Sequence, residues 1–247
     1  MRKYGLIGYP LGHSFSKDFF SRKFASEQTD AEYMNFEMED VGKLHDLLMA
    51  NPSLCGLNVT IPYKTQIIPL LDEIDEDACR IGAVNVIKFI HVRSGKPRLK
   101  GFNTDVTGFG RSIEPLLNET HRKALILGTG GASKAIFHGL KRLNINSLYV
   151  SRKTHESGVA YNAITPQMIE QHTVIVNTTP LGMFPHTDEC ADIPYHLLTS
   201  GHLLYDLIYN PDETLFMKKG RAHGATVKNG LEMLILQACE SWNIWNM

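Results

Sequence analysis

Cysteine is scarce: only Cys55, Cys79, Cys190 and Cys239 occur in 247 residues, with no C-x-x-C pair among them. That scatter argues against a disulfide framework or a cysteine zinc site and fits reduced thiols. The eleven histidines show no ligand spacing, so no metal is expected. Neither sign of charge dominates. A formal net charge of -1 leaves no basic excess for nucleic acid or an anionic membrane, so a small molecule is the expected partner. No run reaches the roughly 18 apolar residues that a membrane helix needs. The opening "MRKYGLIGYPLGHS" is too short and glycine-broken in its apolar part for a secretory signal, so a cytoplasmic location is expected. Internal repeats and low-complexity tracts are missing too. What remains, 43% hydrophobic and 21% charged residues, is the composition of a globular chain with a core of ordinary size, in one large or two small domains.

Strand-like and helix-like patterns alternate along the chain, which predicts an α/β fold with mostly parallel sheets. They fall into two series. In the first, 3–8, 33–37, 56–60 and 84–91 read as strands and 16–27, 41–50 and 63–71 as helices, followed by a hairpin turn at "RSGKPR". The second runs "RKALILG" strand, "GASKAIFHGLKRL" helix, then strands at "SLYVS", "HTVIVNTT", "HLLYDLIY" and "ATVKN". Between them, "GFNTDVTGFGRSIEPLL" has helical spacing in its last dozen residues, and "GLEMLILQACESWNIW" reads as a closing apolar helix. One connection is too short. "RKTHESGVAYNAIT" lacks a helical pattern where a parallel crossover wants a dozen residues or more. Either a loop replaces the helix, or "AYNAI" is an edge strand reached tightly.

"ALILGTGGASKAIFHGL" is a strand, a glycine-rich turn and a helix, the arrangement that aims backbone N–H groups and a helix N-terminus at a pyrophosphate. Gly128, Gly130 and Gly131 form the turn, and Ser133 stands at the third position of G-x-G-x-x-G. The next strand ends "YVSRKTH", with no acid for a ribose 2'-hydroxyl. Arg152 and Lys153 are placed instead to neutralise a 2'-phosphate, which favours NADP.

Other polar residues stand where the local pattern does not call for them. Lys64 falls in the first turn of the helix expected at 63–71, where the helix dipole disfavours a cation. Ser14 and Ser16 stand where a loop becomes a helix, either as N-caps or as an anion cradle. Asn85 interrupts a β-branched strand and is expected to face a polar cavity. Asp105 opens a helix, as an N-cap or as a functional acid.

Taken in order, "GYPLGHSFS", "NVTIPYK", "GAVN", "NTD", "GTGGASKA", "SRK", "NTTPLGM", "YDLIYNP" and "NGLEMLILQA" closely resemble the shikimate dehydrogenase family across nearly the whole chain. The resemblance implies an enzyme that interconverts 3-dehydroshikimate and shikimate with NADP in aromatic amino acid biosynthesis. It implies a substrate-binding α/β domain over 1–103, completed by the C-terminal helix 230–247, and a Rossmann-type doubly wound NADP domain over 104–229. By the same resemblance Ser14, Ser16, Thr60, Asn85, Asp105, Tyr209 and Gln237 bind substrate, and Lys64 and Asp105 form the catalytic pair. Gly128, Gly130, Gly131, Ala132, Ser151, Arg152, Lys153, Thr178, Met183, Leu207 and Gly230 would hold the cofactor. A monomer or homodimer is implied. The chain departs from the family at Lys17, where a proline is usual, at Ser151 in place of an asparagine, and in the helix missing after Lys153. Alternatives left open are a quinate/shikimate enzyme using NAD or NADP, an amino-shikimate dehydrogenase, and a sensor that keeps the fold without catalysis.

Overall fold

The computed structural model describes residues 1–12, 14–90, 97–152 and 158–247. The chain forms two compact units, residues 1–104 with 237–247, and residues 105–236. In the first, β1 (Arg2–Gly8), α1 (Phe15–Ser26), β2 (Ala31–Glu37), α2 (Leu44–Ala50), β3 (Leu54–Val59), β4 (Glu73–Ile74), α3 (Glu76–Ile81), β5 (Val86–Ile90) and β6 (Arg98–Phe102) follow in order. The strands build one sheet, β2-β1-β3-β5-β6-β4. The pairs β1/β2, β1/β3 and β4/β6 are parallel, and β5 is antiparallel to both β3 and β6. Alternate side chains feed two cores, as the pleat requires. Ile7, Leu57, Val59 and Ile87 pack on one face, and Tyr4, Phe20, Phe24 and Tyr33 on the other with Trp245 from the chain's end.

The second unit holds α4 (Asp105–Ile113), β7 (Lys123–Leu127), α5 (Gly131–Arg142), β8 (Asn146–Ser151), β9 (Gly158–Ala160), α6 (Pro166–Gln171), β10 (Val174–Asn177), β11 (Leu203–Asp206), α7 (Leu215–Ala222), β12 (Thr226–Lys228) and the start of α8 (Leu231–Asn246). Its sheet is parallel throughout, in the order β12-β11-β10-β7-β8-β9. Numbered from β7, this is the 3-2-1-4-5-6 order of a dinucleotide-binding fold, whose switch point lies between β7 and β10. Both faces are covered, and β7, β10 and β11 are accordingly near-continuous apolar runs.

The structure corrects three expectations and decides one left open. Residues 63–71 are not an α-helix: turns run from 61 to 67 and a 3-10 helix spans Ile68–Leu70. Pro69 has no N–H to give the Thr65 carbonyl, so the bond is made one residue short, from Ile68 N–H to Thr65 O at 3.4 Å. Lys64 therefore does not sit at a helix N-terminus. Asn85 precedes β5 rather than interrupting it. The short connection after β8 ends in a three-residue edge strand, Gly158–Ala160, with Tyr161–Ala163 a 3-10 turn. Tyr149 pairs with Gly158 and Ser151 with Ala160, so the chain must return only two residues, about 7 Å along the strand. Three helices, α3, α6 and α7, lie where no helix was expected. Lys153 and most of the expected hairpin turn, 93–96, fall outside the described residues.

Candidate active site

The glycine turn is built by close approach. Gly128 has φ +104°, and a Cβ there would lie 2.8 Å from Thr178 Oγ1 on the neighbouring strand end. Thr178 Oγ1 in turn donates to the Leu127 carbonyl at 2.6 Å, and Gly128 N–H to Val150 O at 2.8 Å. Gly130 is the N-cap of α5, without a side-chain cap bond, and the space where its Cβ would stand is open for 4 Å. Gly131 and Ala132 form the first helical residues behind it. An uncapped helix start under an open glycine is a cradle that a pyrophosphate fills. Ser133 fits the third position because its hydroxyl donates to the Gly130 carbonyl at 2.7 Å and is buried there.

Ser151 closes β8 as a buried residue and Arg152 follows it into solvent. Since β7 and β8 are hydrogen-bonded neighbours, Arg152 leaves the sheet beside the glycine turn. Its charge opposes the rise that burial imposes on the Tyr161 phenol. On the other side of the switch point, the loops after β10 and β11 converge on Asp206. Its fully buried carboxylate accepts from Asn177 Nδ2 at 3.0 Å, Ile208 N–H at 3.1 Å and Thr214 Oγ1 at 2.6 Å. Burial pushes this carboxyl up to about 6, and the three donors restrain the rise. Gly182, at φ +94°, passes 3.5 Å from Thr214 by its would-be Cβ, and Met183 follows, exposed. Leu207 lies against Gly230, where a Cβ would meet the Leu207 carbonyl at 2.1 Å, so only glycine fits. Tyr209 is partly exposed on the loop after β11, and burial raises its phenol.

In the first unit a buried polar network gathers several expected residues. Ser14 is the N-cap of α1, its Oγ accepting from Lys17 N–H at 3.3 Å. Burial pushes the Tyr33 phenol far up, and Ser16 opposes that rise. Tyr33 donates to Asn58 Oδ1 at 2.7 Å, and Asn58 Nδ2 donates to Ser241 Oγ at 3.0 Å and to the Asn85 carbonyl at 3.3 Å. Asn85 clamps Thr104: its Oδ1 accepts from Thr104 N–H at 2.7 Å and its Nδ2 donates to Thr104 Oγ1 at 3.0 Å. Thr104 Oγ1 lies 3.5 Å from Gln237 Oε1 and 3.3 Å from Ser241 Oγ. Asn85 and Gln237 are thus joined through Thr104, and Asn85 belongs to this network rather than standing alone in a cavity.

Thr60 holds the end of β3, its N–H bonded to Ile7 O and its carbonyl to Tyr63 N–H, each at 2.9 Å. Half-buried Lys64 follows one turn later, and its carbonyl accepts from Val84 N–H at 2.7 Å, tying the turn to the Asn85 segment. In the second unit Asp105 is the buried first residue of α4, where an acid suits the dipole. Tyr33, Asn58, Ser241 and Asp206 were not expected as site residues. Only Asn58 and Asp206, polar within apolar runs, carried a signal in the sequence. Among the described residues, no cluster of His, Cys, Asp and Glu is placed to hold a metal, and no helix is long and apolar enough to cross a membrane.

The family model described as the shikimate dehydrogenase substrate binding domain matches residues 6–87. A shikimate dehydrogenase (NADP(+)) of Methanosphaera stadtmanae is 37% identical over 259 residues, covering 98% of this chain and 90% of its own. The crystal structure of a shikimate dehydrogenase in complex with NADP+ shares the fold with a TM-score of 0.87 at 30% identity, over 99% of this chain and 89% of that one. Quinate dehydrogenase from Corynebacterium glutamicum in complex with NAD gives 0.86 at 28% identity, over 99% and 93%. The chain belongs to the shikimate dehydrogenase family.

Proposed function

We propose that this protein is an oxidoreductase that reversibly reduces 3-dehydroshikimate to shikimate with NADP, a biosynthetic step toward the aromatic amino acids. The observation that carries the reading is the open Gly128–Gly130 cradle at the switch point of the parallel sheet, with Arg152 beside it, in a chain of this family. The cradle's backbone N–H groups and the N-terminus of α5 suit the pyrophosphate, and Arg152 with Lys153 suits a 2'-phosphate. Thr178, Met183, Leu207 and Gly230 belong to the loops that border the same sheet edge. When bound, the nicotinamide supplies or accepts the hydride.

The rest of the chemistry belongs to this chain's own side chains. Lys64 donates a proton to the alkoxide oxygen as the ketone is reduced, and takes it back in the oxidising direction. Its ammonium also stabilises the charge developing on that oxygen. Asp105 is assigned with Lys64 to the catalytic pair, and Thr60, Asn85, Asp105 and Gln237 are assigned to the substrate hydroxyls. Ser14, Ser16 and Tyr209 hold the carboxylate. The buried bonds of the network around Thr104 fix the rotamers of Asn85 and Gln237, so their geometry is set before substrate arrives. Action in the cytoplasm, as a monomer or homodimer, completes the reading. The likeness to a quinate dehydrogenase bound to NAD favours dual quinate and shikimate specificity as a second reading.

The direct test is to add 3-dehydroshikimate to the purified protein with NADPH and follow the nucleotide's absorbance. Loss of reduced nucleotide that needs both reactants is expected, and a constant absorbance contradicts the reading.

A further inference from the structure

Resting on the cofactor reading above, we infer that Asp206 is a positioning residue for the dinucleotide, a buried anion that locks together the two loops bordering the cofactor edge. No step proposed for the reaction uses it, and it lies at the closing end of β11, under the loops rather than among the reacting groups.

The geometry is that of a hub. One oxygen, Oδ1, takes Asn177 Nδ2 from the end of β10 and the Ile208 N–H from the loop after β11; the other takes the Thr214 hydroxyl eight residues on. Each partner passes the constraint outward. Asn177 Oδ1 accepts from the N–H and the hydroxyl of Thr179 at 3.1 and 2.7 Å, fixing the residue after Thr178. Thr214 Oγ1 also accepts from Met217 N–H at 3.4 Å as the N-cap of α7, and Gly182 packs against Thr214 just before Met183. Backbone bonds from Leu207 N–H to Asn177 O at 3.0 Å and from Phe184 N–H to Asn210 O at 3.2 Å stitch the same two loops together. Thr178, Met183 and Leu207 are therefore all within a few bonds of one carboxylate. An acid, rather than an amide, suits the centre because three donors converge and a carboxylate has acceptors only. Keeping an anion fully buried is costly unless such donors face it, so a neutral apolar residue would be the more stable choice if packing were its only task.

The test compares wild type with Asp206→Leu, Asp206→Asn and Thr214→Val, reading NADPH affinity by nucleotide fluorescence and shikimate affinity by calorimetry. Asp206→Leu is expected to weaken NADPH binding about tenfold or more, the scale of losing charged hydrogen bonds, and to weaken shikimate binding, through Tyr209 on the same loop, by much less. Asp206→Asn keeps an oxygen for Asn177 and Ile208 and offers an amide N–H to Thr214 Oγ1, so it should retain most of the affinity. Thr214→Val deletes one donor at constant shape and should show a smaller, equally selective loss, which settles the matter even where Asp206→Leu does not fold. Equal losses for both ligands, or NADPH binding untouched in Thr214→Val and Asp206→Leu, would overturn the inference while the cofactor reading stands. Wild-type protein that binds no NADPH would overturn the cofactor reading and the inference with it.

Discussion

Lys64 lost its expected place at a helix N-terminus but kept a defined one. The turn that holds it is pinned on one side by Thr60 O to Tyr63 N–H and on the other by Val84 N–H to its own carbonyl. A side chain on so fixed a backbone can be aimed, which a proton-transfer group needs. Lys64→Ala is expected to lower kcat by about 10²-fold or more with a smaller change in KM for shikimate, read from steady-state rates. Unchanged kcat would remove Lys64 from the proton path. Arg152→Ala should raise KM for NADP more than KM for NAD, because only the former carries the 2'-phosphate that a guanidinium pairs with; equal increases would take Arg152 out of that site. At this scale the sequence carried a signal where a polar residue stands in an apolar run, as at Asp206. It was silent where the partner lies far along the chain: Asn58 meets Ser241 across 183 positions, and nothing local announces such a bond.

Helix α1 shows how an element and a site share a residue. Ser14 caps it only because position 17 has an N–H to give, which Lys17 supplies and a proline would not. Ser14→Ala should therefore cost about 1 kcal/mol in chemical denaturation, the usual worth of such a cap. If Ser14 also holds the substrate carboxylate, KM for shikimate rises in the same variant; a stability loss alone would make it a cap and nothing more. The elements that the sequence hid are short. The helices α3 and α6 have six residues each and α7 eight, fewer than the window in which a 3.6-residue period stands out. Their N-caps Asp75, Thr165 and Thr214, with Pro166 opening α6, were the available signal. Between 63 and 71 the opposite occurred: the apolar spacing was helical, and Pro69 overruled it.

For the molecule as a whole, the alternation of strands and helices gave the class of fold, and the glycine turn located the first strand of the parallel sheet. Strand order could not be read from it, since that depends on which apolar faces pack in three dimensions. Acid should destabilise the fold through the buried His121. His121 accepts from Asn118 N–H at 3.0 Å, and burial holds its ring below the usual histidine range. Its unfolded form takes up protons first, so this stability is present at neutral pH and is lost as pH falls through about 6.5. Asp206 has the opposite sign. Its carboxyl is raised to about 6, so its contribution is fully present below about 4 and is lost as pH rises through about 6. The melting temperature should thus fall as pH drops from 7.5 toward 6, and fall more steeply below 6 in Asp206→Asn than in wild type. A flat profile, or the same slope in both, would contradict these assignments.

The central claim is one substrate with one cofactor, and initial rates with shikimate and with quinate, each offered NADP and NAD, test it most directly. Turnover concentrated in the pair of shikimate and NADP is the predicted result. Comparable rates with quinate or NAD would contradict it in favour of dual specificity, and no turnover in any of the four, with shikimate still bound, would contradict catalysis itself.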